Sequence, residues 1–291
     1  MNRRLFTRLL ASPALLAAAP QDWIARLGGT SDGVTVKLGR TWVNDSELLE
    51  LAAMPKLERL DLSHTRISDE GLLLLRPAKR IRELNLRYAE QITDQGMNAV
   101  KLWRELRVLN VRGTRIADGT MAVASDLPQL ESLDVTGTSI TENGLDSLVP
   151  MVKLKRLEIG RNRIRDESMA MLRLLTDLEW LDLSGPRGVN RNQRREANAL
   201  ALPLVAAIAE LSRLRVLKLG HLNIDAEGLA ILAAKLGSVE RLGLELCPRV
   251  DDAALKVLEG WRSLKYVDLQ ETAATGPAIQ KFRQSRPDVI A

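Results

Sequence analysis

Cysteine occurs once in this chain of 291 residues, at Cys247, and histidine only twice. A single thiol excludes an internal disulfide, so the redox compartment cannot be read from bridges. Aromatic residues make up 3% of the chain, which leaves any core to be built from aliphatic side chains. No run reaches the ~18 consecutive apolar residues that a membrane-crossing helix needs. The chain also lacks CxxC, HExxH, GxSxG and GxxxxGK[ST], the spacings that would supply a metal pair, a nucleophile elbow or a phosphate loop. Gly28-Gly29 and Gly185-Pro186-Arg187-Gly188 read as turns.

An excess of one charge is missing as well. The net charge is +5. Arg3, Arg4 and Arg8 contribute +3, and Arg187, Arg191, Arg194 and Arg195 less Glu196 contribute another +3. Taking both from +5 leaves −1 for the rest. A nucleic-acid binder spreads Lys and Arg over one face of its body, so the composition argues against that role.

What the chain has is a repeat. The segment from Leu57 to Leu72 returns with block starts at Ile81, Leu106, Leu130, Leu154, Leu178, Leu214, Val239 and Leu264. Seven of the eight intervals are 24 or 25 residues, and the interval from Leu178 to Leu214 is 36. A period of this length marks stacked supersecondary units with an elongated, exposed surface.

Each block opens with an apolar alternation, as in Leu60-Asp61-Leu62, which predicts a short strand with one buried edge. A bend follows, then an apolar residue (Ile67, Ile92, Ile116, Ile140, Ile164), and then pairs such as Ser68-Asp69, Thr93-Asp94 and Thr141-Glu142. These pairs predict helix starts, with side-chain oxygens on free N–H groups and negative charge at the positive helix end. Leu72 and Leu75 share the buried face of that helix. No unit can cover its strand edge and helix stripe alone, but stacking covers both. The expected architecture is α/β, a parallel sheet lining the inner curve of an arc with short helices outside.

The block LERLDLSHTRISDEGLLLL resembles the leucine-rich repeat, in the form LxxLxLxxTxIxDxGLxxL common in bacterial proteins, and is similar to repeats of the ribonuclease-inhibitor-like group. The resemblance spans about residues 34–290, and nine successive blocks carry it. Two blocks, Arg87 to Asp94 and Glu245 to Asp252, have one extra residue in the bend, as in the cysteine-containing variant, where Cys247 would be a buried core thiol. The resemblance implies a horseshoe-shaped binding protein and no particular ligand.

Residues 1–19 combine Arg3-Arg4, an apolar stretch from Leu9 and the small exit Ala17-Ala18-Ala19. Those are the parts of a secretory signal, and Arg3-Arg4-Leu5-Phe6 resembles a twin-arginine signal. The competing reading, favoured by Pro20 and Arg8, is an amphipathic capping helix. Residues 20–56 are expected to form an N-terminal cap, with a helix over Gln21 to Gly29 and a first strand over Val34 to Leu38. Full repeats are expected over 57–274. A C-terminal cap over 275–291 would have a helix from Thr275 and a final edge strand at Val289-Ile290. Solenoids need such atypical ends.

Strand alternation nominates the contact residues. Leu60 and Leu62 point to the core, so their neighbours face the concavity. The middle column runs Asp61, Asn85, Asn110, Asp134, Glu158, Asp182. Arg59, Arg87, Arg112 and Arg156 flank it, and Trp180 and Tyr266 are the aromatics on the same face. The stripe is open to two readings, a contact surface or the ordinary solvated filler of such a sheet. Trp180 is the residue type that anchors interfaces. The 12-residue excess over 185–198 carries Arg187, Arg191, Arg194 and Arg195. It is either a loop for an acidic partner or a charged loop with no ligand. His64 and His221 occupy the same repeat position roughly 25–30 Å apart, too far to share a metal or a proton.

The sequence therefore predicts a non-enzymatic protein-interaction scaffold without cofactor or metal, monomeric, and periplasmic or secreted. The alternatives are a cytoplasmic adaptor of the ubiquitin-ligase type and, from another class, a hydrolase with a site near Trp180 and Asp182.

Overall fold

The computed structural model describes residues 21–162, 164, 166–185 and 202–291. The export-signal segment and Arg187, Arg191, Arg194 and Arg195 lie outside the described residues. Eleven strands form one sheet in strict chain order. They are β1 (Thr30–Ser31), β2 (Thr35–Lys37), β3 (Arg59–Asp61), β4 (Glu83–Asn85), β5 (Val108–Asn110), β6 (Ser132–Asp134), β7 (Arg156–Glu158), β8 (Trp180–Asp182), β9 (Val216–Lys218), β10 (Arg241–Gly243) and β11 (Tyr266–Asp268).

From β2 onward every pairing is parallel and in register, so Leu60, Leu84, Leu109, Leu133, Leu157, Leu181, Leu217 and Leu242 form one ladder. Each is almost wholly buried, a burial that contributes roughly 1.5–3 kcal/mol per side chain. A second ladder runs beside it through Leu62, Leu86, Val111, Val135, Ile159 and Leu183, and all of these are buried. The sheet departs from the parallel expectation at its start, where β1 pairs antiparallel with β2. At the other end Ile290 makes a single bridge to Tyr266 instead of a strand.

Helices return the chain on the opposite side of the core. Those at Asp45–Ala52, Asp69–Leu74 and Asp118–Ser125 are short, a 3-10 turn at Asp146–Leu148 continues the helix Glu142–Leu145, and a 3-10 segment takes the helix's place at Asp166–Leu174. Longer helices follow at Ala226–Lys235, Asp252–Gly260 and Gly276–Ser285.

The helix starts follow the sequence expectation in part, since Thr141 accepts from the Asn143 N–H and Thr93 from the Gln95 N–H, and depart from it at Ser68. Ser68 makes no side-chain cap on its own helix. Instead Asp45, one coil earlier, accepts from the Ser68 N–H at 2.8 Å and from its hydroxyl at 2.5 Å. Asp69 takes Thr93 in the same way at 2.8 and 2.6 Å, and Asp118 takes Thr141 at 2.8 and 2.7 Å. Asp94 finds no hydroxyl at Ala117 and takes that residue's N–H and the Thr120 hydroxyl. The aspartate therefore joins two coils as well as suiting its own helix dipole. Where Ala226 replaces it, the next coil's Asp251 caps its own helix through the N–H groups of Ala253 and Ala254.

Candidate functional site on the inner sheet face

The middle column lies across the centre of the sheet, one residue per coil, as the register dictates. Most of it is tied to the backbone. Asp61, Asn85, Asn110, Asp134 and Asp182 each accept from the N–H two residues on, at 2.9–3.1 Å. Each strand thus ends in an Asx turn, which is why a short carboxylate or carboxamide recurs there. One oxygen of every member is engaged. Burial deepens along the column, and Asp134, Glu158 and Asp182 are only 7%, 7% and 8% exposed.

Glu158 breaks the pattern because its side chain is one methylene longer. It accepts from Arg156 Nε at 2.7 Å and pairs with Nη2 at 2.6 Å. Burial, then the neighbouring Asp134 and Asp182, push its carboxyl above the usual range, while Arg156 opposes the shift. Burial and Asp268 likewise raise Glu245.

Trp180 is the centre of the site. Arg156 lies over its ring at 3.9 Å and Lys218 approaches the ring centroid at 5.2 Å. Lys218 also reaches Asp182 at 3.8 Å. The indole N–H is enclosed and has no hydrogen-bond acceptor. One strand further on, Arg241 covers Tyr266 at 4.6 Å. Between the two aromatics lies a hollow of about 250 Å³, floored by Val216 and Gly243 and edged by Glu245 and Asp268. Cations set beside rings on this face suit an anionic or polar partner group.

The structure thus brings Arg156, Glu158, Trp180 and Asp182 together with Tyr266 nearby. Arg59, Asp61, Asn85 and Asn110 belong to a separate groove near the N-terminal cap, shared with Asp32 and Lys37. Arg87 and Arg112 leave the sheet for its exit edge, around Tyr88. Strand alternation puts Lys218 and Arg241 on the concave face, but neither is among the nominated contact residues. Their proximity to Trp180 is visible only if the 36-residue interval is read as an insertion after β8, which restores the register of Trp180 with Val216 and Asp182 with Lys218.

His64 and His221 both have left-handed backbone, with φ of 55° and 68°. Cys247 is buried, with its thiol 3.2 Å from the Leu219 carbonyl. No group of three or more metal-ligating side chains occurs among the described residues, and no described helix is long and apolar enough to cross a membrane.

The profile of the family described as Leucine Rich repeat matches residues 53–75. No curated protein matches the chain. Among solved structures, an internalin from Listeria monocytogenes is similar at 21% identity and TM-score 0.55, over 82% of this chain and 68% of that one. A leucine-rich repeat protein of Leptospira interrogans is similar at 17% identity and TM-score 0.59, over 88% of this chain and 58% of its own. The ectodomain of the Arabidopsis receptor kinase HAESA, solved with a peptide hormone, is similar at 18% identity and TM-score 0.56. The match covers 93% of this chain and 44% of the ectodomain. The fold is that of the leucine-rich repeat solenoids.

Proposed function

We propose that this leucine-rich repeat solenoid is an exported, non-enzymatic scaffold that binds a protein partner on its inner sheet face, centred on Trp180. The observation that carries the reading is the cluster of Arg156, Trp180 and Lys218, a large ring with two cations packed against it. Rigid aromatic and arginine anchors are the groups that dominate interface energies. The HAESA ectodomain, which shares the fold, is bound to a peptide hormone in its structure.

The test is to immobilise the full chain, identify a captured protein, purify it and titrate it against wild type and Trp180→Ala. The variant should bind at least about tenfold more weakly, as loss of a central anchor does. Equal affinity would discard the concave site. Export is tested separately by the N-terminal mass of protein made in its native host, where an intact Met1 speaks against a cleaved signal.

A further inference from the structure

A second surface, apart from Trp180, stands on the edge where the strands leave the sheet in the N-terminal half. We propose that this rim binds an acidic segment of a partner protein through Arg40, Arg66, Arg87, Arg112 and Arg115.

The repeat brings the five together. Each coil turns at one left-handed residue, which is Arg40, His64, Tyr88 and Gly113 in four successive coils. Arg87 and Arg112 precede the pivot by one residue, and Arg66 and Arg115 follow it by two. All therefore emerge on the same edge over three coil spacings, about 14 Å at ~4.8 Å each.

These arginines differ from the cations of the opposite edge. On the opposite edge, where strands begin, charges are matched coil by coil. Arg82 pairs with Glu58 and Glu105, Arg107 and Lys155 with Glu131, and Arg215 with Glu240. Among the described residues none of the five rim arginines has a carboxylate within 4.0 Å. The acidic groups that face them are Glu90, which lines the same hollow, and Asp134 and Glu158, which act on Arg112 from the sheet.

Aromatic rings hold the cations in place. Arg66 lies over Trp42 and Arg87 over Tyr88, each at 5.2 Å. The Tyr88 ring packs 4.9 Å from His64, and a Cβ on Gly113 would collide with it. The Arg112 guanidinium, hydrogen-bonded to the Tyr88 phenol, draws its pKa below the usual range, with the charges of Arg112 and Arg87 adding to the effect. Between His64, Arg66, Tyr88 and Arg115 is a hollow of about 560 Å³. Trp42, beneath Arg66, is 77% exposed, an apolar area of the kind that interfaces cover.

Charge complementarity selects an anion, and the rings select a peptide over a nucleic acid. Single-strand binders stack successive bases on open ring faces, but the Tyr88 ring already packs against His64 and lies close to Gly113. An extended peptide advances ~3.3 Å per residue, so four or five residues span the rim. Side chains on one side of it recur every ~6.6 Å, close enough to the coil spacing for two or three Asp or Glu to meet guanidiniums.

The test uses the full chain and a fluorescein-labelled Glu/Asp-rich decapeptide, read by anisotropy at low and at 0.5 M salt. The expected result is saturable, salt-sensitive binding that weakens at least about tenfold in Arg66→Ser/Arg87→Ser/Arg115→Ser. Arg213→Ser/Arg215→Ser, on the other edge, should stay within about twofold, and melting curves should show both variants folded. If the rim triple variant melts early, Arg66→Ser alone serves, because that side chain is exposed. Absence of binding, equal loss in the two variants, or tighter binding of a single-stranded oligonucleotide or of heparin than of the peptide would overturn the proposal. A Trp180→Ala chain that keeps full peptide affinity separates this surface from the concave one, and loss in that variant would overturn the separation.

Discussion

Asp69 and Gly96 belong to successive coils and touch: a Cβ placed on Gly96 would lie 2.5 Å from Asp69 Oδ1. The same carboxylate receives the N–H and hydroxyl of Thr93. Asp and Gly of the DxG motif are therefore partners across coils, the first of one coil with the second of the next. In an open helix Gly→Ala stabilises by up to about 1 kcal/mol. Here Gly96→Ala should destabilise by about 1–3 kcal/mol, the usual consequence of overpacking. Urea titration of Gly96→Ala, Asp69→Ala and the double variant should show strong non-additivity. A stabilised Gly96→Ala would refute the clash.

The leucine ladder gives a second expectation. Leu109→Ala should cost about 2–5 kcal/mol through its cavity. Glu131→Ala on the surface should cost under about 1 kcal/mol, since Glu131 only bridges exposed Arg107 and Lys155. Equal melting temperatures for the two variants would contradict stacking as the source of stability.

Glu158 predicts a pH dependence. Burial, then Asp134, raises its folded carboxyl above the usual range. The unfolded chain therefore gives up that proton more easily, so the ionisation opposes folding. The opposition is absent below the ordinary carboxylate range, grows as pH rises through the raised value and is complete above it. The stability of wild type relative to Glu158→Gln should fall as pH rises above the ordinary carboxylate range. A difference that is flat or rises there would contradict the shift.

Arg156 and Trp180 should be energetically coupled. Their stacking at 3.9 Å predicts a double-mutant coupling of about 0.5–1 kcal/mol in chemical denaturation. Strict additivity would mean that the contact has no energetic weight.

Cys247 offers a simple probe. With its side chain fully buried, the thiol should react with a disulfide reagent only as fast as the chain opens. Labelling should accelerate steeply in denaturant, and rapid labelling in buffer would contradict the burial.

Much of the fold was legible because stacking is a local rule. Leu60 and Leu62 alternate, recur every 24 or 25 residues, and take part in the two ladders the period implies. The Asp45-to-Ser68 junction was not legible, since a Ser-Asp pair before an apolar run has the composition of a self-contained cap. Which coil receives the hydroxyl depends on the offset between coils, which sequence spacing does not encode. The site was legible by face but not by grouping. Trp180 could be placed on the concave side by alternation, whereas its two cations come from strands 24 residues before and 38 after it. The rim was missed because Arg40, Arg66 and Arg115 lie off the strands, where period-two reasoning has no purchase.

Among the described residues nine coils turn at a left-handed residue, and of these only Gly113 and Gly137 are glycines. A side chain in that conformation costs roughly 1–2 kcal/mol. The solenoid therefore holds stability in reserve at its corners: glycine at position 40 or 64 would make a sturdier molecule. It would also strip the corner of the side chain it displays, so toughness and the capacity to grip another surface are set against each other at the same few positions.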